Sequence, residues 1–247
     1  MTKLDTSTPA KLSSHSSSAW SRAIVRGVRA NDLSGKAGEI ASELEDRLVR
    51  GAYKFGENLS IYNLAKEFGA SRQPVSAAVL YLGTVGYLEI IPQVGCRVVS
   101  PSPQDVEDFY MLFARTEALI ARFASERYQE DEAIQLKEIA NALLLNSFQN
   151  VNDRRNMADD ISIFHDHMSA MARSKILVDR ISNLRRIFRF YLSQNHEEAK
   201  AQSPSLSSLN QGRVNLAEKI IARDALGAER HMESYILDYL QEWARVV

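Results

Sequence analysis

The chain has 247 residues, room for one large or two modest domains, and its 45% hydrophobic content supports a buried core, which excludes a disordered tail or a coiled rod. The formal net charge is only −1, but residues 1–100 carry 12 Lys/Arg against 9 Asp/Glu and the remainder 18 against 22, a weak lean towards a nucleic-acid partner on the N-terminal side. One cysteine, Cys96, excludes an internal disulfide framework and reads as a small packing residue; no apolar run approaches the roughly 18 residues of a membrane span, the N-terminus lacks the apolar stretch of a signal peptide, and the expectation is a cytoplasmic protein.

In chain order, residues 1–36 read as a flexible, basic, Ser-rich tail ("STPAKLSSHSSS"). From residue 37, Ile40, Leu44, Leu48 and Val49 recur at helical spacing until Gly51 stops the helix. "GAYKFGENL" reads as a loop with two glycines. "SIYNLAKEFG" is a short helix that Ser60 can cap and Gly69 ends, and "SRQPVSAAVLYLGTVG" is the next helix, with Ser71 at its cap. "YLEIIP" and "CRVVS" are β-rich runs joined by Pro92, Gln93, Val94 and Gly95, the pattern of a hairpin. Between Pro103 and Pro204 there is neither glycine nor proline, where base rates predict about seven glycines. With apolar residues at helical period, this predicts a bundle with helices at about 103–128, 132–148, 152–172, 175–197, 205–223 and 224–245. The fold class is therefore mainly α: a winged helix-turn-helix over 37–101, then an all-helical domain over 102–247.

Helix, short helix, glycine turn, helix and hairpin is the order of a winged helix-turn-helix, whose second helix enters the DNA major groove by its N-terminal end. That end must be polar on one side, because its amides and first side chains meet phosphates and base edges. Here Ala70, Val75, Ala78, Val79 and Leu82 face the preceding helix, which leaves Ser71, Arg72, Gln73 and Ser76 for the groove. Arg can bind guanine bidentately and Gln can bind adenine. The hairpin tip with Gln93 and Gly95 would be the wing.

These residues also resemble a family. "NLSIYNLAKEFGASRQPVSAAVLYLGTVGYLEIIPQVGCRVV" looks like the DNA-binding domain of GntR-type bacterial transcription regulators; Leu59, Leu64, Ala65, Gly69, Ser71, Arg72, Pro74, Val75, Ala78, Gly86, Gly95 and Val98 match its pattern without gaps. Where the family commonly carries basic residues this chain has Tyr62 and Ser76, which implies weaker phosphate contact or an altered reading of sequence.

The helical half resembles the FCD effector domain of the FadR-type branch. "FYMLFARTEALIARFASE" looks like its first helix, with Glu117 at the usual acidic position, "IFHDHMSAMARSKIL" like its central stretch, and "ARDALGA" like its last helix. Many such domains hold a divalent metal with one Asp and three His. By that resemblance His165 matches the first His, but Ile161 stands at the Asp position (Asp160 is one residue off), Arg213 at the second His and Tyr235 at the third. His167 faces away from His165 on a helix, and His231, one turn from Tyr235, is the remaining substitute. The expectation is no metal and no cofactor. Instead, an anionic effector is held by a bidentate Arg213 with hydrogen bonds from His165 and Tyr235.

No Gly-rich phosphate loop, G-x-S-x-G, H-E-x-x-H or usable Cys–His pair is present, so an enzyme is not expected. The reading is a ligand-responsive transcription regulator that binds double-stranded DNA, a short palindromic operator, as a homodimer, with a small carboxylate-type effector and no membrane partner. Tyr62 and Ser76 keep open the alternative of a helical scaffold that has lost specific DNA binding.

Overall fold

The computed structural model describes residues 33–92, 94–149, 154–194 and 206–244. The tail expected over 1–36 lies almost wholly outside them, as do Gln93, the link 150–153 and the end of the helix expected to reach 197. The order is α1 (Gly35–Val49), β1 (Asn58–Leu59), α2 (Ile61–Glu67), α3 (Arg72–Thr84), β2 (Leu88–Ile91), β3 (Gly95–Val98), then α4 (Pro103–Arg127), α5 (Glu130–Gln149), α6 (Arg154–Met171), α7 (Lys175–Ser193), α8 (Leu206–Ile221) and α9 (Ala225–Ala244). This is a winged helix-turn-helix followed by a helical bundle, as the sequence predicts.

The apolar stripes do what their spacing demands. Ile40, Leu44 and Leu48 of α1, Leu64 and Ala65 of α2, and Val75, Ala78, Val79 and Leu82 of α3 are buried together. The wing is a three-stranded antiparallel sheet in the order β1-β3-β2, with Leu88 opposite Val98 and Ile91 opposite Gly95. The stretch read as a loop thus contains a strand: Asn58 pairs with Arg97 and Leu59 with Cys96. Two residues are too few to show alternation, and the pairing comes from β3 rather than from their own propensity. Cys96 is buried between these strands, and burial pushes its thiol up to about 11, in keeping with a packing role.

The bundle opens on a strong start signal. Ser102 accepts from the Asp105 amide at 3.2 Å and the Asp105 carboxylate accepts from the Ser102 amide at 2.9 Å, with Pro103 in the first turn. α4 then packs chiefly on α9, and α5 chiefly on α8.

The two halves share one continuous core. Phe55 meets Phe190 and Tyr191 of α7 edge-on at 5.4 and 5.6 Å, and Tyr87 meets Phe190 at 5.2 Å. The Gln194 side chain accepts from the Phe55 amide at 3.0 Å and donates to the Tyr53 carbonyl at 3.1 Å. Gly51 has φ +75, and a Cβ there would stand 2.9 Å from the Ser193 carbonyl oxygen.

Gly51→Ala should therefore cost more than Gly56→Ala. Both glycines are left-handed, which costs a side chain roughly 1–2 kcal/mol, but a Cβ at Gly56 meets nothing within 4 Å. Urea midpoints of the two variants give the comparison; equal losses would mean the contact with α7 does not hold the loop.

Candidate functional site

Two sites emerge, one at the start of α3 and one inside the bundle. At α3, Ser71, Arg72, Gln73 and Ser76 are all exposed while Val75, Ala78 and Val79 are buried, so the polar side of the first turns faces away from the protein. The Arg72 guanidinium lies over the Tyr62 ring of α2, 5.6 Å from its centroid. The tyrosine that replaces a basic family residue thus positions the retained arginine. Leu80, one turn beyond Ser76, is exposed as well; sequence reading passes over it because a leucine at helical spacing reads as core.

One expectation about α3 needs correction. Ser71 occupies the cap with extended φ/ψ, but its side chain makes no capping hydrogen bond. The usual donors are the second and third helical amides, and the third residue is Pro74, which has none. The hydroxyl and the first-turn amides are left to an outside acceptor. At the wing, Val94 is exposed, and Gln93 lies outside the described residues. Gly95 has φ +147, and a Cβ there would stand 2.8 Å from the Leu59 carbonyl oxygen, so strand pairing accounts for this glycine.

The second site is a cavity of about 390 Å³ among α4, α6, α7, α8 and α9. His165, Arg213 and Tyr235 all line it, each from a different helix. Arg213 is 4% exposed, its guanidinium lies 5.4 Å from the Tyr235 ring centroid, and it donates to the Asn210 side-chain oxygen, while its Nε has no hydrogen-bond partner. Asn210 is fixed in turn by donating to the Leu143 carbonyl at 2.9 Å.

The sequence did not single out Arg185, Arg186 and Arg189 of α7, which also line the cavity. In "LRRIFRFYL" they read as an ordinary solvated face. No local signal set them apart, because the helix has an exposed polar side in its first turns, at Lys175, Asp179 and Arg180. Arg185 forks onto the fully buried Glu117 at 2.6 and 3.0 Å and reaches Asp166 at 3.0 Å. Arg186 pairs with Glu45 of α1 at 2.7 Å.

Burial alone would raise the Glu117 carboxyl, but Arg185 and then His165 outweigh it and hold it at about 2. For His165, burial is the largest influence and lowers its pKa; Glu117, with its carboxylate 3.7 Å from Nδ1, pulls the other way, and Arg185 and Arg213 add to the lowering. The imidazole is therefore neutral at neutral pH.

The donor set does not fit a divalent cation. Ile161 has no donor, Arg213 is a cation, Asp160 is not among the lining residues, and no group of three His, Cys, Asp or Glu that could hold a metal occurs among the described residues. His167 contacts the Glu132 carbonyl and His231 the Gly212 carbonyl, each at 2.9 Å, and His231 faces a separate, open depression.

A winged domain with an exposed helix start, joined to a bundle with a cationic cavity, defines the class of a DNA-binding regulator. Residues 36–98 match the profile of "Bacterial regulatory proteins, gntR family". Residues 36–98 thus carry a DNA-binding domain of the kind found in gntR-family bacterial regulatory proteins. An "Uncharacterized HTH-type transcriptional regulator YdhC" of Bacillus subtilis (strain 168) is 28% identical over 94 residues, which span 38% of this chain and 42%, under half, of that relative. E. coli McbR/YncC has a similar fold, with a TM-score of 0.65 at 18% identity over 86% of this chain and 99% of that one. A putative transcriptional regulator GntR from Rhodococcus sp. RHA1 gives 0.66 at 16% identity over 85% and 99%. Among the described residues no helix is long and apolar enough to cross a membrane.

Both shifted groups bind more protons in the unfolded chain, so stability should fall on acidification in two stages. The first begins below about pH 6.5, where an unfolded histidine charges while His165 stays neutral; the second runs from about pH 4.3 towards pH 2 as Glu117 is neutralised. Urea unfolding across pH should show both stages, and His165→Gln should remove the upper one and narrow the lower, which Arg185 still maintains. At neutral pH, Glu117→Gln leaves Arg185 with the Ser169 hydroxyl and the exposed Asp166 as its remaining partners and should cost about 3–5 kcal/mol. A loss under about 1 kcal/mol would contradict the role given to this buried pair.

Proposed function

We propose that this chain is a ligand-responsive bacterial transcription regulator of the gntR family, of the FadR-type branch, with an FCD-like effector domain. It binds a short palindromic operator as a homodimer, acts in the cytoplasm, and takes a small organic anion in the bundle cavity. The observation that carries the effector reading is Arg213, buried in a cavity wall with no carboxylate partner among the described residues. An arginine cannot shed its proton, so the cost of burying it asks for an anion. Tyr235 and the neutral His165 supply a hydroxyl and an imidazole for further hydrogen bonds to that anion.

Response to the ligand runs through α7. Its arginines line the cavity, whereas Phe190, Tyr191 and Gln194 hold the winged domain. Arg186 belongs to both surfaces, since it lines the cavity and pairs with Glu45. An anion that draws on Arg186 or displaces α7 changes the support of the DNA-binding domain, which meets the requirement that a ligand act by differential contact with two states.

At the operator, Arg72 is the guanine contact, held by Tyr62, and Gln73 is the adenine contact. Ser71 and Ser76 meet phosphate or base edges, Leu80 offers apolar contact for a thymine methyl, and the wing carries Gly95 with Gln93.

Arg72→Ala should weaken operator binding by about 1–3 kcal/mol without a change in melting temperature. A gel shift with the protein's own upstream region, in the presence and absence of competitor DNA, measures this, and unchanged affinity would reject α3 as the reading helix. A chelator should leave the melting temperature unchanged, because a cation bound at a thousandfold excess over its dissociation constant would contribute about 4 kcal/mol, which chelation would remove. Elemental analysis showing one metal per chain would defeat that expectation.

A further inference from the structure

Resting on the effector reading of the cavity, the charges along its wall specify the ligand further. Four arginines line it, and two are already matched: Arg185 by Glu117 and Asp166, and Arg186 by Glu45. Arg189 and Arg213 have no carboxylate within ion-pair distance among the described residues. Each has a buried Nε with no hydrogen-bond partner. Their hydrogen-bond and ring partners differ: among the described residues Arg189, on α7, donates to the Ser162 hydroxyl of α6, at a long 3.5 Å, while Arg213, on α8, lies against Asn210 and the Tyr235 ring. The rest of the lining includes Phe113, Ile161, Phe188 and Ile236, which have nothing to offer a charge.

A monoanion on the buried Arg213 would leave the half-buried Arg189, with its buried Nε, facing the cavity without an anion. We infer that the ligand is a dianion: two acidic groups joined by a short apolar body, with Arg213 the anchor for one group and Arg189 the anchor for the other. A dicarboxylate and a phosphorylated carboxylic acid share this chemistry, and arginine forks onto either group. A cavity of about 390 Å³ limits the body to a short chain or a single ring.

Calorimetric titration of the full-length chain, at constant ionic strength, tests this with glutarate, adipate and phosphoglycolate as dianions and pentanoate and hexanoate as monoanions. The expected result is that at least one dianion binds at least tenfold more tightly than either monoanion. The stronger arm then tells a dicarboxylate from a phosphorylated acid. Arg189→Gln should bring the dianion down to the monoanion level with monoanion affinity within twofold of the parent. Arg189→Lys, which keeps the charge, should recover part of the difference, and Arg213→Gln should weaken both kinds of ligand. Equal binding of dianions and monoanions by the parent, or a dianion advantage that survives Arg189→Gln, overturns the inference. If binding is equal but still depends on Arg213, the effector reading stands and only the second anchor is lost. If none of the five probes binds, both fall together.

Discussion

Glu45 is a carboxylate buried in the first helix of the winged domain, and an isolated charge there would be untenable. It is held from both sides of the domain boundary: Arg186 of α7 reaches it at 2.7 Å, and the Tyr87 hydroxyl, just ahead of the wing, donates to it at 3.0 Å. Burial first, and then the adjacent Glu45 charge, push the Tyr87 phenol far up, so it remains a donor at any working pH. This contact does not add much net stability, since the desolvation of both partners offsets most of their attraction. Its effect is on orientation. A winged domain turned away from α7 would leave Glu45 without its cation, so the domain has one favoured seat on the bundle.

The seat explains why α7 is so crowded with both aromatics and arginines. A helix that faces solvent on one side can keep its cations there, but α7 meets the winged domain, α4 and the cavity together. Phe190 and Tyr191 form the aromatic joint with Phe55 and Tyr87, while Arg185 is neutralised inside the bundle by Glu117. Glu117 and Glu45 thus perform the same task in the two halves: each neutralises one arginine on the inner part of α7. The guanidiniums at Arg189 and Arg213 are what this pairing leaves over, and the cavity is where they are left.

Much of this was legible in the sequence, for physical reasons that differ from part to part. The winged domain showed because its turns need Gly51, Gly69 and Gly95 and its helices repeat apolar residues at a fixed spacing, both of which are local signals. The bundle showed in the absence of glycine and proline between Pro103 and Pro204. β1 did not show, because two residues paired by a distant strand carry no pattern of their own. At the cavity, His165, Arg213 and Tyr235 were reached through family resemblance, since nothing local marks three residues from three helices as neighbours. Arg185, Arg186 and Arg189 were missed because solvated and buried arginines look alike in a string of letters; only the three-dimensional neighbours of α7 separate them. Ser71 misled in the opposite way. Its identity and position both indicated a capping bond, and Pro74, three residues on, removed one of the two usual donors.

That missing cap connects the two sites through a common device. At α3 the proline leaves a hydroxyl and helix-end amides without an internal acceptor, and Tyr62 holds Arg72 outward by its ring face instead of by a carboxylate. In the cavity, Arg213 is likewise held by the Tyr235 ring and the Asn210 side chain, both uncharged. A carboxylate partner in either place would orient the arginine equally well but would have to be displaced before an anion could bind. Aromatic and amide partners orient without neutralising, so the charge stays available while the side-chain entropy is already largely lost. Arg185 and Arg186 are matched by carboxylates, whereas Arg72 and Arg213 each lie against a tyrosine ring that orients the guanidinium without neutralising it.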